Sequence, residues 1–328
     1  MVEQHPSRPG RRRLAAIALS LACFGLPISD SRAGKPLKVA TTIGHLADAV
    51  RVIGGSAVEV SALIDTGVDH RTYNHTEQDL GRLRDADLEL WIGLGLEGRL
   101  AGLFKGLRRR QPVVAVGELI ERSNLLPHPS IRGEFDPHIW MDADIWSDVV
   151  RIVEAALSKL RPDHAQLFAE RAAAYRQELD ELNAYVAGAI NSVPEEQRVI
   201  LSAHDGFRYF GRAYGIEVLG VQGLSTDSKT ASAHLDEIVN LIVERKLQAV
   251  FVETTVAEQH LREVIEGAEA EGREIIIGGT LFSEALGTPG TYEGTYIGML
   301  DHNATLISRA LGGVPSRHGF QGKLSNGQ

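Results

Sequence analysis

Three segments of the sequence place histidine or carboxylate side chains just after short apolar runs that are typical of β-strands, and a fourth such segment lies between a loop and a helix-like stretch. Their candidate ligands are His70 or His75, then His138, His204 and Glu284. Three imidazoles and one carboxylate suit zinc and are acceptable to manganese or iron(II), whereas calcium would require more oxygen ligands. Taken singly, each histidine could equally be an ordinary loop residue. The residue types alone therefore leave a metal site and a set of solvated loop residues both open.

The elements that must position these side chains follow from the hydrophobic pattern. Short β-branched runs alternate with stretches of helical period, which predicts an α/β fold with parallel sheets. Because ligands bind beyond the carboxyl ends of strands in such sheets, the polar residues after each run are the ones of interest. The predicted strands are Leu37–Thr42, Val58–Ile64, Leu88–Ile92, Val113–Val116, Val199–Ser202, Glu217–Val221, Ala249–Glu253 and Glu274–Ile277.

One long helical segment divides the chain at its midpoint. Between Pro162 and Pro194, apolar residues recur at alternating steps of four and three and so share one helix face. A helix of this length would be about 45 Å long and could span two lobes. We therefore predict two parallel-sheet α/β lobes joined by one long backbone helix, with residues 34–160 and 195–328 as the lobes and 161–194 as the connector.

The first 33 residues are typical of a secretory signal peptide. An arginine-rich stretch precedes the apolar run 14–22, and Ser31 and Ala33 offer small residues before a cleavage point. The run is about half the roughly 20 residues of a membrane-spanning helix. Export to the periplasm is the expectation. Lipid attachment at Cys23 and a twin-arginine signal at Arg12–Arg13 are less favoured alternatives.

Composition excludes several classes of function. The 328-residue chain carries a net charge of −9, which argues against a nucleic-acid partner. Cys23 is the only cysteine, so an intrachain disulfide and a cysteine-based zinc site are excluded. The sequence also lacks the phosphate-loop, nucleophile-elbow and H-E-x-x-H motifs. These observations favour a binding protein without enzymatic activity.

Motifs throughout the chain after residue 33 resemble those of one known family, the metal-binding cluster A-I solute-binding proteins of ABC importers, which handle zinc, manganese or iron. The motifs that carry the resemblance are Val39–Gly44, Gly67–Asp69 with Tyr73, Ala86–Leu88, Gly93–Glu97, Asp136–Trp140, Ser202–Asp205, Gln222–Thr226, Phe251–Glu253, Gly278–Ser283 and Gly294–Met299. The resemblance implies two lobes joined by a helix, with a four-ligand ion site between them. It implies an ABC permease as partner and Zn²⁺ or Mn²⁺ as transported ligand, without an organic cofactor.

Residue by residue, the resemblance assigns ligand positions to His138 and His204. Manganese-binding relatives often carry glutamate where His204 stands, so zinc is favoured. The customary first ligand position holds Arg71, which cannot bind a cation. His70 is therefore favoured over His75 as the first ligand. The alternative that neither histidine binds the ion stays open. Glu284 replaces the usual aspartate.

Further expectations concern the surroundings of the site. Asp205 and Glu253 are the expected carboxylate partners of the ligating imidazoles. Thr76 should cap a helix. His234 and His302 are expected away from the ion, and His45 and His128 are expected at the surface. Affinity should fall below about pH 6.5, where imidazole is protonated. The alternatives to an importer component are a zinc-dependent hydrolase and a metallochaperone, and a monomer is expected.

Overall fold

The structure is a computed structural model that describes Met1 and residues 35–64, 68, 70, 73–224 and 232–325. The predicted signal peptide, with Cys23 and Arg12–Arg13, lies outside the described residues, as does Arg71. No helix within the described ranges combines the length and apolar character that crossing a bilayer requires.

Within these described ranges, eight strands form two four-stranded sheets in which every pairing is parallel. The first sheet has the order β2-β1-β3-β4 and the second β6-β5-β7-β8. Both sheets reverse their strand order beside the first strand, and such reversals open a crevice at the carboxyl edge. The predicted α/β class with two lobes is confirmed. The strands are β1 Leu37–Thr41, β2 Val58–Ala62, β3 Leu88–Trp91, β4 Val113–Ala115, β5 Val199–His204, β6 Glu217–Gln222, β7 Ala249–Glu253 and β8 Ile276–Leu281.

Helices cover the sheets, and several begin at side chains that cap their first turn. Thr76 accepts a hydrogen bond from the backbone N–H of Asp79, whose carboxylate accepts one from the Thr76 N–H, so the predicted cap is confirmed as a capping box. The helices are α1 Gly44–Gly54, α2 Glu77–Asp85, α3 Ala101–Leu107, α4 Ala143–Leu160, α5 Ala165–Asn191, α6 Arg208–Tyr214, α7 Ser232–Arg245, α8 Gln259–Ala270 and α9 Tyr296–Ala310.

Helix α5 is the predicted long connector. It has 27 residues, which corresponds to about 40 Å. It packs against α1 and α4, which precede it, and against α6 and α9, which follow it. All members of its predicted apolar face are buried; these are Phe168, Ala172, Tyr175, Leu179, Leu182, Val186, Ala189 and Val193. The helix therefore fixes both lobes to one rigid element.

Direct contacts between the two halves of the chain reinforce this connection. The rings of Trp146 and Tyr296 stack with centroids 4.9 Å apart. The backbone N–H of Tyr296 donates to Asp48 at 2.9 Å, and its hydroxyl donates to the carbonyl of Trp140. Buried residues from both lobes also belong to one continuous apolar cluster. Large hinge opening would have to break these buried contacts.

The last strand differs from the prediction. Residues 274–277 were expected to form it, with the loop starting at Gly278, but β8 runs from Ile276 to Leu281. The glycine pair suggested a loop because glycine is rare in strands. A Cβ on Gly278 would lie 2.8 Å from the ring of Phe251, and Gly279 has φ +139° beside an irregularity in the strand register. Both glycines therefore permit close strand packing.

Candidate metal centre

The carboxyl edge of the second sheet supplies two of the predicted ligands and one carboxylate partner. His204 is the last residue of β5, and Glu253 is the last residue of β7, which lies beside it. Glu284 follows the end of β8 by three residues. These positions are at the reversal of strand order, where open α/β sheets bind ligands.

Three imidazole nitrogens converge on the carboxylate of Glu284. Nε2 of His138 and Nε2 of His204 lie 2.9 and 2.7 Å from its Oε1. Nε2 of His70 lies 2.9 Å from the other oxygen, Oε2. Donor atoms of His138, His204 and Glu284 all lie within 4.8 Å of one another. We call His70, His138, His204 and Glu284 the four-residue site; each is at most 3% exposed.

His204 is held by Glu253 from the side opposite Glu284. Nδ1 of His204 lies 2.6 Å from Oε2 of Glu253, and the His204 backbone N–H donates to Oε1 at 2.9 Å. Burial by itself would lower the pKa of His204, but the charges of Glu253 and Glu284 outweigh it and raise the pKa to about 10. Nε2, the atom that faces Glu284, is thus free to serve as a ligand once its proton has left.

His138 has an equivalent partner in Asp136, two residues earlier. Oδ1 of Asp136 lies 2.6 Å from Nδ1 of His138 and also accepts from the His138 backbone N–H. Burial opposes ionisation of His138, yet Glu284 and Asp136 together raise its pKa. Glu253 is confirmed as an imidazole partner, whereas the expectation for Asp205 is wrong. The carboxylate of Asp205 lies 3.7 Å from Arg208 instead.

Glu284 is positioned through the residues just before it. The side chain of Asn303 on α9 brackets Phe282, accepting from its N–H at 2.9 Å and donating to its carbonyl at 2.7 Å. The indole N–H of Trp140 donates to the carbonyl of Ser283 at 2.7 Å. These bonds join the end of β8 to α9 and to the loop of His138, so the carboxylate stands between the lobes.

The loop after β2 provides the third imidazole. His70 is 2% exposed and its ring meets Trp140 edge-on at 6.2 Å. His75, the alternative, is exposed. Tyr73 ties the far end of this loop to α2 by donating to Asp79 at 2.5 Å. The structure therefore brings His70, rather than His75, to Glu284.

Of the remaining histidines, His45 contradicts the prediction. It was expected at the surface, but it is 0% exposed and its ring lies 5.1 Å from that of Trp140. Sequence reasoning missed it because Trp140, which covers it, comes from a distant part of the chain. His234 is exposed, and Nε2 of His302 lies 3.0 Å from the carbonyl oxygen of Thr280. Both lie outside the group of donor atoms around Glu284.

Comparison with known proteins places this geometry in a family. The profile of the zinc-uptake complex component A family, periplasmic, matches residues 39–310. The chain belongs to this family. The match confirms the resemblance to metal-binding solute-binding proteins of ABC importers.

Individual members of the family match over nearly their whole length. The chain is 42% identical to the zinc-binding protein TroA of Treponema pallidum over 92% of this chain and 99% of TroA. It is 39% identical to the manganese-binding lipoprotein MntA of Bacillus subtilis, over 89% and 95% of the two chains.

Solved structures of family members share the fold. The periplasmic zinc-binding protein TroA superposes with a TM-score of 0.81 at 44% identity, covering 85% of this chain and 99% of TroA. Iron(III)-bound YtgA of Chlamydia trachomatis gives 0.77 at 26% identity, with 85% and 99% coverage. The two-lobed architecture with one long helix is therefore the architecture of the family.

Proposed function

We propose that this protein captures a divalent transition-metal ion and delivers it to an ABC permease. The observation that carries the proposal is the convergence of three buried imidazole nitrogens on one buried carboxylate, contributed by both lobes. Without a cation, this arrangement holds several titratable groups in an apolar interior at considerable cost. A dipositive ion would satisfy all four side chains at once.

The donor set favours zinc among the ions that family members bind. TroA is named for zinc and MntA for manganese, and YtgA was solved with iron(III). Zinc accepts three imidazoles and a carboxylate in a tetrahedral site, whereas manganese prefers oxygen-rich surroundings. Three nitrogens against one carboxylate therefore support zinc, with manganese as the second ion.

The ligand roles follow from the contacts. His138 and His204 would bind through Nε2, since Asp136 and Glu253 hold their Nδ1 atoms. Glu284 would neutralise part of the charge of the ion, and His70 would complete the set from the loop after β2. Four protein ligands fill the sphere of a tetrahedral ion and reserve no position for a reacting water, so we propose binding without catalysis.

Delivery would follow from local motion rather than wide hinge opening. Helix α5 and the Trp146–Tyr296 stack join the lobes, and a wide opening would have to break these contacts. We propose that the protein works as a monomer in the periplasm, exported by the signal peptide of residues 1–33. Its partner would be the membrane permease of an importer.

Calorimetric titration of chelator-stripped protein tests the function. Zinc should bind with a stoichiometry of about one at micromolar concentration or below, and manganese should bind more weakly. The His70→Ala and His75→Ala variants form a matched pair, because only His70 reaches Glu284. The first should weaken zinc binding and the second should not. Absence of binding of either ion by the intact protein would rule out the proposal.

A further inference from the structure

The chain segment that carries His138 is held in place by a helix of the opposite lobe. Helix α6 begins at Arg208, four residues after His204, and its side chains contact residues 124–142 of the first lobe. We call residues 124–142 the His138 segment. The helix that follows one imidazole ligand therefore holds the segment that supplies another.

Two side chains of α6 bind the backbone of the His138 segment. The hydroxyl of Tyr209 donates to the carbonyl of Asp136 at 2.8 Å. The guanidinium of Arg212 donates to the carbonyl of Asn124 at 2.9 Å and lies 3.2 Å from the carboxylate of Asp142, the residue that caps α4. These contacts hold the segment, but neither of them reaches an imidazole ligand.

Arg208 differs because it contacts the acids next to both ligands. Its Nη1 lies 3.3 Å from Oδ2 of Asp136, which is completely buried. The other oxygen of Asp136, Oδ1, lies 2.6 Å from Nδ1 of His138. Nε of Arg208 lies 3.7 Å from the carboxylate of Asp205, the residue directly after His204. One guanidinium thus joins the chain at His138 to the chain at His204.

The guanidinium also compensates a buried negative charge. A carboxylate enclosed as completely as that of Asp136 is costly unless a cation or hydrogen-bond donors surround it. Arginine stays charged at every pH that a protein encounters, and its planar fork has a fixed geometry. Each oxygen of Asp136 therefore has its own partner, Arg208 for one and His138 for the other. An imidazole held in this way at Nδ1 presents Nε2 in one orientation.

We propose that Arg208 is a positioning residue of the metal centre, which acts through Asp136 to fix the ring of His138 relative to His204. This inference rests on the proposed function. The two rings come from opposite lobes, yet their centroids lie 5.4 Å apart and both Nε2 atoms face Oε1 of Glu284. The pair is therefore already aligned, and a cation would bind it without rearrangement of the backbone.

Substitution of Arg208 has two opposite effects on zinc binding. Arg208→Gln removes a positive charge that repels the ion, but the side chain is 24% exposed, so solvent screening limits this gain to a few-fold at most. The same change frees Asp136, and disturbing the partner of a ligating imidazole typically weakens metal binding about 10- to 100-fold. The loss should prevail, and the zinc dissociation constant should rise about tenfold.

Arg212→Gln is the matched control. It removes the same charge one helical turn away, together with a carbonyl and a carboxylate contact to the His138 segment. It should lower stability as Arg208→Gln does, but change the zinc dissociation constant by less than about twofold. Equal losses in the two full-length variants, or tighter zinc binding by Arg208→Gln, would overturn the inference. If the parent protein binds no zinc, the proposed function itself fails.

Proton spectra of the zinc-loaded proteins provide a readout that loss of stability alone would not change. The Nδ1 proton of His138 is buried against Asp136, so it should give a downfield signal that exchanges slowly with water. Arg208→Gln should shift or broaden this signal, and Arg212→Gln should leave it as in the parent. A signal unchanged by Arg208→Gln would overturn the inference.

Arg208→Lys keeps the charge but not the fork, and it decides the question if the glutamine variant does not fold. Because an ammonium cannot contact Asp136 and Asp205 with the same fixed geometry, this variant should bind zinc more weakly than the parent and more tightly than Arg208→Gln. Zinc binding and a His138 signal equal to those of the parent would show that only the charge of Arg208 matters, which would overturn the inference.

Discussion

Replacing Glu253 with glutamine tests how the protein prepares His204 for a cation. The carboxylate lies 2.6 Å from Nδ1 of His204, and both side chains are completely buried. Glutamine keeps the size and can still accept from the His204 backbone N–H, but it removes the charge. Loss of such a partner typically lowers metal affinity about 10- to 100-fold, or about 1.4–2.7 kcal/mol.

The effect of Glu253→Gln should depend on pH in a defined direction. Glu253 is the largest of the influences that raise the pKa of His204, to about 10, so it stabilises the competing proton as well as the ion. The variant should have a His204 pKa nearer to the ordinary value of about 6.5. Protons compete with zinc for His204 of the parent up to about pH 10, so at lower pH the weaker proton competition in the variant offsets the lost affinity. The full loss of about 10- to 100-fold should be visible only above about pH 10.

A competition titration of zinc against a chromogenic chelator at pH 6.5, 8.5 and 10.5 measures this dependence. Glu89→Gln is the control, because Glu89 is also a buried glutamate but its carboxylate contacts Gln111 rather than an imidazole. It should change zinc affinity by less than about twofold at each pH. The reasoning is refuted if Glu253→Gln binds zinc like the parent at pH 10.5, or if Glu89→Gln loses as much.

Three other predictions concern the proton balance and the fold. Zinc binding at pH 7.5 should release at least about one proton, because the raised pKa of His204 keeps this imidazole protonated before the ion binds. Calorimetry in buffers of different ionisation enthalpy measures the number of protons released. A release of zero would contradict the prediction. Thr76→Ala should lower the free energy of unfolding by about 1 kcal/mol in denaturant titrations, since the capping box is lost; an unchanged midpoint would count against this cap. Leu182→Ala should lower the free energy of unfolding by about 2–5 kcal/mol in the same assay, because Leu182 is fully buried on α5. A decrease below about 1 kcal/mol would argue against tight packing of this helix.

Much of the fold could be predicted because its signals are local. Each of the eight predicted strands overlaps an observed one, since parallel strands buried on both faces produce continuous apolar runs. The face of α5 followed from helical period alone. The boundary of β8 could not be predicted, because the need for Gly278 arises from close contact with Phe251 on the neighbouring strand.

The positions of site residues could be predicted where those residues lie at the ends of strands. They were harder to predict where contacts between distant parts of the chain determine which side chains meet. His204 and Glu253 end neighbouring strands, so their proximity follows from sheet topology. The choice of Asp205 as an imidazole partner was wrong because its carboxylate lies beside Arg208, although Asp205 directly follows His204 in the sequence. Asp136 was missed although its position two residues before His138 places the two groups in contact.

The pH dependence also required the structure. An ordinary imidazole predicts that affinity falls below about pH 6.5. The buried carboxylates around His138 and His204 raise both pKa values, which moves proton competition to higher pH. No sequence pattern reports how many acids surround a ring, so this shift could not be read from residue types.

The most direct measurement of the central claim is a diffraction experiment on zinc-loaded crystals at wavelengths on both sides of the zinc absorption edge. The account predicts one anomalous peak between the lobes, about 2.0–2.2 Å from Nε2 of His138, Nε2 of His204 and the carboxylate of Glu284. A peak at the surface, with these three side chains still in contact with one another, would contradict it.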